Sequence, residues 1–407
     1  MKIIRIISRT IVGLVFMFSG FVKAIDPLGS AYKFHDYFQA FSLGFLDFLT
    51  LPLSITLCTI EFTAGLSVLT GFRQKEGRWV VMILMLVFTP LTFILALTNP
   101  VSDCGCFGDA VHLTNWQTFG KNLILLIFVS MLFTGKKITD VRYKPLAEWS
   151  VLSGFAFLLV IFCIINLRYL PLLDFLPFKT GINIPEKMIV PEGKPVDEYR
   201  TTFIYEKDGL KKEFTLDNYP AEDTSWVFVD QISVLVKKGY IPPVQDFIIT
   251  DIHNIDLTDK ILSDKGYSML MISTKLKESV NKKLTQGFEL GNQCIKSGIS
   301  FYVITASGRD EVLKYSNGHV FCTADEITLK TMVRSNPGYI LLKEGNIIGK
   351  WSWANVPEQN WFKDEITARQ IEKLYNRNGT LYVIIVIMSI TIALLLINIL
   401  LENRFKS

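Results

Sequence analysis

Residues 79–98 read WVVMILMLVFTPLTFILALT and contain no charged side chain. A helix needs about 20 consecutive apolar residues to cross the hydrocarbon core of a bilayer, so this segment predicts a transmembrane helix. Similar apolar segments lie on both sides of it. We predict six spans, at Ile6–Ala24, Leu49–Gly71, Trp79–Thr98, Trp116–Thr134, Trp149–Leu170 and Leu381–Leu401.

The composition divides the chain into a membrane part and a water-facing part. Of its 407 residues, 50% are hydrophobic and only 20% are charged, and the mean hydropathy is +0.33, which excludes an ordinary soluble enzyme. The 42 basic and 38 acidic residues are nevertheless too many to lie within a bilayer. The net charge of +4 is mild and no basic run is interleaved with aromatics, so we expect a lipid bilayer but no nucleic acid as a partner.

The basic residues predict the orientation of the spans. They cluster at the N-terminus, after the second span and after the fourth span, whereas residues 101–115 contain no Lys or Arg. By the positive-inside rule, both termini are cytoplasmic. The loop 101–115 and the segment 171–378 then face the other side, as in a multi-pass protein of the bacterial inner membrane with a large periplasmic domain. The first span follows Lys2, Arg5 and Arg9 as in a signal peptide, but it lacks a clear cleavage site and we expect it to be retained.

The segment Asp103-Cys-Gly-Cys-Phe-Gly-Asp109 holds the most suggestive cysteines, Cys104 and Cys106. A disulfide between residues i and i+2 is feasible but strained, and strain favours exchange over a structural role. His112 is the nearby base that would activate one sulfur. A disulfide so close in sequence would also add little stability, and a static disulfide within the short loop is the alternative. Metal binding by Cys104, Cys106 and His112 lacks a fourth ligand, so we expect no metal site.

This segment resembles the DoxX/MauE group of redox-associated membrane proteins. The likeness covers about the first 140 residues and includes Phe18–Pro27, Glu61 and the stretch from Asn115 to Asn122. It implies a four-helix membrane unit linked to thiol–disulfide chemistry, with a quinone as candidate cofactor because related systems contact quinone.

Glu61 lies near the middle of the predicted second span, where a lone carboxylate is costly. Lys121, near the start of the fourth span, is a candidate partner inside the bundle. The pair would serve as a proton relay or in cofactor binding; a structural ion pair or a neutral hydrogen-bonded Glu61 is the alternative. Cys58 precedes Glu61 by one turn and would either resolve a disulfide or, more simply, pack as a small apolar residue.

The extracytoplasmic part reads as a mixture of strands and helices. A hairpin is predicted at residues 202–215, around Asp208-Gly209. Strands at 267–273 and 299–305, helices at 282–297 and 325–333, and a closing hairpin at 335–351 follow. This order resembles the thioredoxin/redoxin fold, as do Pro243–Phe247 and the Asn336–Pro337 bond, which is cis in that family.

The resemblance does not extend to the usual redoxin active site, because Ser273–Ser279 contains no cysteine. Asn336 and Pro337 remain candidates for binding an extended client peptide. Cys294 and Cys322 would form a pair or, more simply, lie buried. The fold class we predict is therefore a membrane α-helical protein, a four-helix bundle plus two further spans, with an extracytoplasmic α/β thioredoxin-like domain.

Five regions follow from these patterns. They are a four-helix membrane domain (1–145), a fifth transmembrane helix (146–170), a β-rich linker region (171–238), the thioredoxin-like domain (239–375) and a sixth transmembrane helix (379–403).

Two functions remain open from the sequence. One is a thiol–disulfide oxidoreductase that relays electrons between Cys104/Cys106 and the thiols of envelope proteins or redox proteins, with quinone involvement. The other is a non-enzymatic scaffold or assembly factor whose thioredoxin-like domain only binds partners. A transporter is a weaker third option, because no broken helices or internal repeat are visible.

Overall fold

A computed structural model of the chain describes residues 2–101, 103–134, 145–216, 218, 223–245, 247–279, 281–315 and 318–356. The predicted sixth transmembrane helix at 379–403 lies outside the described residues. So does the end of the predicted thioredoxin-like domain.

The described part of the chain up to Tyr169 is helical. Its helices are α1 (Lys2–Ile25), α2 (Pro27–Ala40), α3 (Thr50–Thr70), α4 (Gln74–Thr98), α5 (Asn115–Met131) and α6 (Pro145–Tyr169), with a short 3₁₀ helix at Gly44–Leu49. Among the described residues, α1, α3, α4 and α6 are long and apolar enough to cross a membrane. Helix α5 has 17 residues, shorter than the predicted fourth span, and packs against α4 and α1 within the bundle.

Glycines bring α1 and α3 unusually close together. A Cβ atom on Gly20 of α1 would lie 2.6 Å from the carbonyl oxygen of Cys58, and one on Gly65 of α3 would lie 2.6 Å from the amide nitrogen of Met17. Small residues at such contacts let two helix backbones approach within a membrane. This approach places the polar residues of α1 directly beside those of α3.

Helix α2 was not predicted, because its apolar residues do not form a strong periodic pattern. Its start carries a local signal all the same. The Asp26 carboxylate caps the helix by accepting a hydrogen bond of 2.8 Å from the amide of Gly29, and Pro27 occupies the first turn. Helix α2 packs on α3 and supplies one wall of the site described below.

A three-stranded antiparallel sheet forms the first part of the water-facing region. Its strands are β1 (Glu198–Lys207), β2 (Leu210–Thr215) and β3 (Val227–Lys237), in the order β2-β1-β3. The predicted hairpin is confirmed, and Asp208 and Gly209 both take the positive φ that such a two-residue turn requires. Strand β3 was not predicted.

A six-stranded mixed sheet follows, in the order β4-β7-β6-β5-β8-β9. The strands are β4 (Thr250–Asp251), β5 (Tyr267–Ile272), β6 (Ser300–Thr305), β7 (Val320–Thr323), β8 (Gly338–Lys343) and β9 (Asn346–Ser352). Strands β5, β6 and β7 run parallel, while β8 is antiparallel to both β5 and β9. The peptide bond between Asn336 and Pro337, just before β8, is cis.

Helices accompany this sheet, and the predicted α/β character of the water-facing part is confirmed. They are α7 (Ile184–Met188), α8 (Thr258–Leu262), α9 (Asn281–Lys296), α10 (Arg309–Tyr315) and α11 (Glu326–Met332). Helix α9 is amphipathic: Leu284, Leu290 and Cys294 are buried on one face, at the spacing of a helix that packs on a sheet.

Polar contacts join this region to the end of α6. The Ser352 hydroxyl donates to the carbonyl of Arg168 at 2.6 Å. Beside it, Lys350 pairs with Asp174 at 2.6 Å. The α/β domain is thereby held where α6 ends.

Candidate functional site

Cys104 and Cys106, the predicted redox pair, lie between α4 and α5 in the segment Asp103–Asp109, which we call the dithiol loop. The Sγ atoms of Cys104 and Cys106 are 3.1 Å apart. Gly105 between them has a φ of +63°, and a Cβ there would come within 2.9 Å of Lys33. A glycine is therefore required both by the backbone conformation and by the space available.

Helices α1 and α2 hold this loop in place. The Tyr37 hydroxyl donates to the carbonyl of Cys104 at 2.5 Å. Lys33 pairs with Asp103 at 2.6 Å. From α1, the Ser19 hydroxyl lies 2.8 Å from the carbonyl oxygen of Cys106. Both cysteine carbonyls are thus anchored to the bundle.

A buried polar cluster lies directly behind Cys106. The Lys23 Nζ atom lies 2.8 Å from each carboxylate oxygen of Glu61, and Ser19 Oγ lies 2.9 Å from Glu61 and 3.1 Å from Lys23. The side chain of Glu61 is only 2% exposed. The charge pair and the extra hydrogen bonds satisfy a carboxylate that would be costly alone in the bundle.

The pairing expected for Glu61 has to be corrected. Lys23, rather than Lys121, binds its carboxylate, because the close α1–α3 contact brings Lys23 across from it. Lys121 instead lies with its Nζ 4.4 Å from the centroid of the Phe107 ring, in a cation–π contact with the dithiol loop. Both lysines face the same cavity.

This cavity opens between α1, α2, α3, α4, α5 and the dithiol loop, with about 810 Å³ of space not filled by protein atoms. This space includes a part that is open to solvent, and the walls of the cavity are mostly apolar. Polar groups from the loop and the cluster reach into it. The lining residues with thiol or charged side chains are Lys23, Lys33, Glu61, Cys104, Cys106 and Lys121; Phe16, Phe34, Met85, Phe88, Leu91 and Leu125 supply apolar walls.

The surroundings of Cys104 and Cys106 shift the pKa values of the two thiols in opposite directions. A hydrogen bond from Cys104, with the positive charges of Lys121 and Lys23, outweighs burial and lowers the pKa of Cys106 to about 6. The hydrogen bond to Cys106, together with burial, raises the pKa of Cys104. Cys106 is therefore the sulfur that holds a negative charge most readily.

His112 does not take the position expected of an activating base. Its Nδ1 atom lies 3.3 Å from Asp103, and its side chain is 66% exposed. The hydrogen bond to Asp103 turns the ring to the loop surface. The cations that act on Cys106 are lysines of the bundle.

Comparison with known proteins gives this part of the chain a family. A family model described as methylamine utilisation protein MauE matches residues 1–135. Residues 1–135 are a MauE-type membrane domain. With the membrane-crossing helices described above, this makes the chain an integral membrane protein.

Other comparisons cover less of the chain. A model of a domain of unknown function (DUF8463) matches residues 199–238, which contain the three-stranded sheet. Protein TlpB of Flavobacterium psychrophilum is 27% identical over 128 residues, which is 31% of this chain and 35% of that protein. The match thus spans about a third of this relative's length. No solved structure matches the chain.

A second cysteine pair lies between the MauE-type domain and α6. The Sγ atoms of Cys58 on α3 and Cys163 on α6 are 3.7 Å apart, and both residues are fully buried among apolar side chains. This neighbourhood fits the packing role expected of Cys58. Cys163 was not singled out in the sequence, because no local motif surrounds it.

The cysteines of the α/β domain are not brought together. Cys294 on α9 and Cys322 on β7 belong to different core clusters. Burial raises the pKa of each thiol to about 12, with the charge of Asp251 adding to the effect at Cys322. The structure therefore supports the simpler expectation, that they are buried apolar residues.

The residues around the cis peptide bond form a closed hydrogen-bond network. Asn336 Oδ1 accepts from Ser273 Oγ at 3.0 Å and from Ser279 Oγ at 2.8 Å. Ser273 and Ser279 also contact each other at 2.9 Å. Hydroxyl groups, rather than thiols, thus border the predicted peptide-binding position.

Arg334, just before this position, contacts the MauE-type domain, and sequence reasoning missed it. Its Nε lies 2.7 Å from Asp26, and its Nη2 lies 2.7 Å from Asp109 in the dithiol loop. Arg334 is 6% exposed. A contact between residues so far apart in the chain leaves no local signal.

Proposed function

We propose that the chain is a membrane thiol–disulfide redox protein that passes electron pairs between the thiols of external proteins and Cys104/Cys106. One observation carries the proposal. The two Sγ atoms lie 3.1 Å apart beside a bundle cavity that also receives Lys23 and Lys121. A dithiol held next to buried cations has the low-pKa thiolate that exchange chemistry needs.

The unequal thiols suggest the order of events in reduction. A thiolate of the partner attacks Cys104 Sγ of the Cys104–Cys106 disulfide, forming a mixed disulfide, and Cys106 leaves as a thiolate. The partner's second thiolate then attacks the partner sulfur of the mixed disulfide and releases Cys104. The partner becomes a disulfide, and two electrons have passed to the membrane pair. The low pKa of Cys106 favours it as the leaving group in the first step.

A quinone is the candidate cofactor, and the cavity fits one in character. Its apolar walls would hold a quinone ring, and Lys121 and Lys23 are cationic side chains that line the same cavity. When bound, a quinone supplies a sink for two electrons and two protons. Within the chain, Ser19 Oγ touches both Glu61 and the Cys106 carbonyl, so the buried polar cluster is connected to the backbone of the dithiol loop.

Orientation and location belong to the same proposal. The lysine and arginine distribution favours cytoplasmic termini, with the dithiol loop and the α/β domain in the periplasm of a bacterial cell. That compartment is oxidising, so a disulfide between Cys104 and Cys106 can form and persist there.

A second candidate function is a non-enzymatic envelope scaffold or assembly factor. It is favoured by the hydroxyl network of Ser273, Ser279 and Asn336, which occupies the site where a redoxin would carry its cysteines.

Thiol trapping in membranes separates the two. Cys104 and Cys106 are blocked with maleimide, at intervals, after addition of a dithiol donor or of an oxidised quinone. We expect both cysteines to shift reversibly between a reduced form that reacts with maleimide and an oxidised form that does not. We also expect Cys106→Ala to trap a partner on Cys104 as a mixed disulfide. A Cys294→Ala variant is the matched control. Permanent oxidation under all conditions would favour the scaffold.

A further inference from the structure

The contact between the α/β domain and the MauE-type domain is built around one buried cation. Arg334 bridges Asp26, which caps α2, and Asp109, which ends the dithiol loop. Both carboxylates come from the membrane part, and the guanidinium comes from the segment between α11 and β8. Removing one partner from such a buried pair leaves an uncompensated charge, so the contact is specific for a cation at this point.

An aromatic ring completes the surface on the membrane side. Tyr32 of α2 lies under the two cations, 5.3 Å from the guanidinium of Arg334 and 4.8 Å from Lys330 Nζ, measured to the ring centroid. We call Asp26, Tyr32 and Asp109 the acidic docking surface. It adjoins the dithiol directly, because Asp109 belongs to the same loop as Cys104 and Cys106.

The face of the α/β domain that meets this surface is the one that carries the cis-proline loop. Arg334 shortly precedes Pro337, and Asn336 joins the loop to Ser273 and Ser279. The docked domain nevertheless offers no thiol there. Cys294 and Cys322 are fully buried in its core, so it cannot exchange disulfides with Cys104 or Cys106 in this position.

We infer that the acidic docking surface is a binding site for thioredoxin-fold proteins that carry a cationic side chain beside their cis-proline loop. The α/β domain of this chain occupies the surface in cis. A separate protein of the same fold, with a cysteine pair, takes its place when electrons are exchanged. Tethering gives the cis domain a high effective concentration, so the partner has to compete with it. The exchange step rests on the proposed function; the docking itself does not.

The first arm of the test measures access to the dithiol in the full-length protein in membranes. After reduction, the alkylation rates of Cys104 and Cys106 are measured with a maleimide polymer of about 5 kDa and with N-ethylmaleimide. A docked α/β domain would hinder access of the large polymer to the two thiols but not access of the small reagent. We expect Arg334→Glu to raise the polymer rate severalfold and leave the small reagent's rate nearly unchanged. Lys314→Glu, the same change at an exposed lysine of α10, is the control.

A charge swap guards against simple misfolding. Arg334→Asp combined with Asp109→Arg and Asp26→Asn restores an opposite pair at this point without leaving a second carboxylate beside position 334, and Asn can still cap α2. This triple variant should bring the polymer rate back toward that of the unaltered protein. If Arg334→Glu leaves the polymer rate unchanged, or the swap fails to restore it while the domain remains folded, the docking inference is overturned.

The second arm tests the external partner with a defined probe. Reduced thioredoxin is used in two forms, with and without an arginine placed three residues before its cis-proline, and its exchange with oxidised Cys104–Cys106 is followed. We expect the arginine form to react faster, Arg334→Glu to increase its rate further, and Asp109→Asn to remove its advantage. Equal rates for the two forms would overturn the partner inference. If neither form exchanges at all while the first arm succeeds, the proposed function has failed and the docking stands.

Discussion

Lys23 Nζ lies 2.8 Å from both carboxylate oxygens of Glu61, across the close contact of α1 with α3. Both charges are buried, with side chains that are 8% and 2% exposed. The pair links the MauE-type bundle to the dithiol, because Ser19 touches Glu61 and Lys23 as well as the Cys106 carbonyl. The stability of the Lys23–Glu61 pair and the geometry of the thiol site are therefore coupled.

Replacing only one member of this pair should be far worse than replacing both. Lys23→Met leaves Glu61 as a buried, unpaired carboxylate, a loss of about 3 kcal/mol or more in the free energy of unfolding. The double variant Lys23→Met/Glu61→Leu removes both charges and should recover much of that loss. Reversible unfolding in mixed micelles measures both. Equal destabilisation by the single and the double variant would show that the two charges are not coupled.

The reactivity of Cys106 should follow pH with a low midpoint. A thiol whose pKa is lowered to about 6 is a thiolate above that pH, so its alkylation rate should rise through pH 6 and level off before pH 8. An ordinary thiol, with a pKa of about 8.5, would still be accelerating there. Mass spectrometry of reduced protein treated with iodoacetamide at graded pH locates the midpoint.

The cause of that shift can be tested by removing one positive charge. Lys121→Gln takes away a cation beside Cys106, so the midpoint should move to higher pH. Lys212→Gln, on strand β2 of the three-stranded sheet, is the matched control and should leave it in place. A midpoint that stays near 6 in Lys121→Gln would mean that Lys121 does not act on Cys106.

Much of the fold follows from local patterns in the sequence. The α4 span, the Asp208-Gly209 hairpin and the buried strand β5 each carry their signal within a few residues, and each lies where it was expected. Helix α10 and strand β7 are short, with 7 and 4 residues, and their patterns were too brief to recognise.

Only the part of the site that is encoded within a few residues could be predicted from the sequence. Cys104 and Cys106 are marked by their own spacing, but the partner of Glu61 depends on how close α1 and α3 approach. The available signal is the segment from Phe18 to Pro27, which contains Lys23 and is part of the stretch that carries the family resemblance. Arg334 and Asp109 lie on different domains, so their pairing needs the assembled structure.

The hydrogen bond from Tyr37 should set the position of Cys104 in the loop. Tyr37→Phe removes the donor to the Cys104 carbonyl and keeps the ring in place. A hydrogen bond of this kind contributes about 0.5–1.5 kcal/mol. We therefore expect the equilibrium between the dithiol and the disulfide, measured against a glutathione redox buffer, to shift by several-fold. Tyr315→Phe on α10 is the control. An unchanged equilibrium would mean that Tyr37 does not position the loop.

The close approach of α1 to α3 should tolerate no added methyl group. In Gly20→Ala the new Cβ would meet the Cys58 carbonyl and the Phe62 amide, both at 2.6 Å, and backbone atoms cannot move aside as a flexible side chain would. Overpacking of this kind costs about 1–3 kcal/mol. It should also separate Lys23 from Glu61, so Gly20→Ala should lower the unfolding free energy and alter the alkylation rate of Cys106 together. Gly120→Ala on α5, where a Cβ has no neighbour within 4 Å, is the matched control and should change neither. If Gly20→Ala lowered stability without affecting Cys106, the polar cluster would not transmit helix packing to the thiol site.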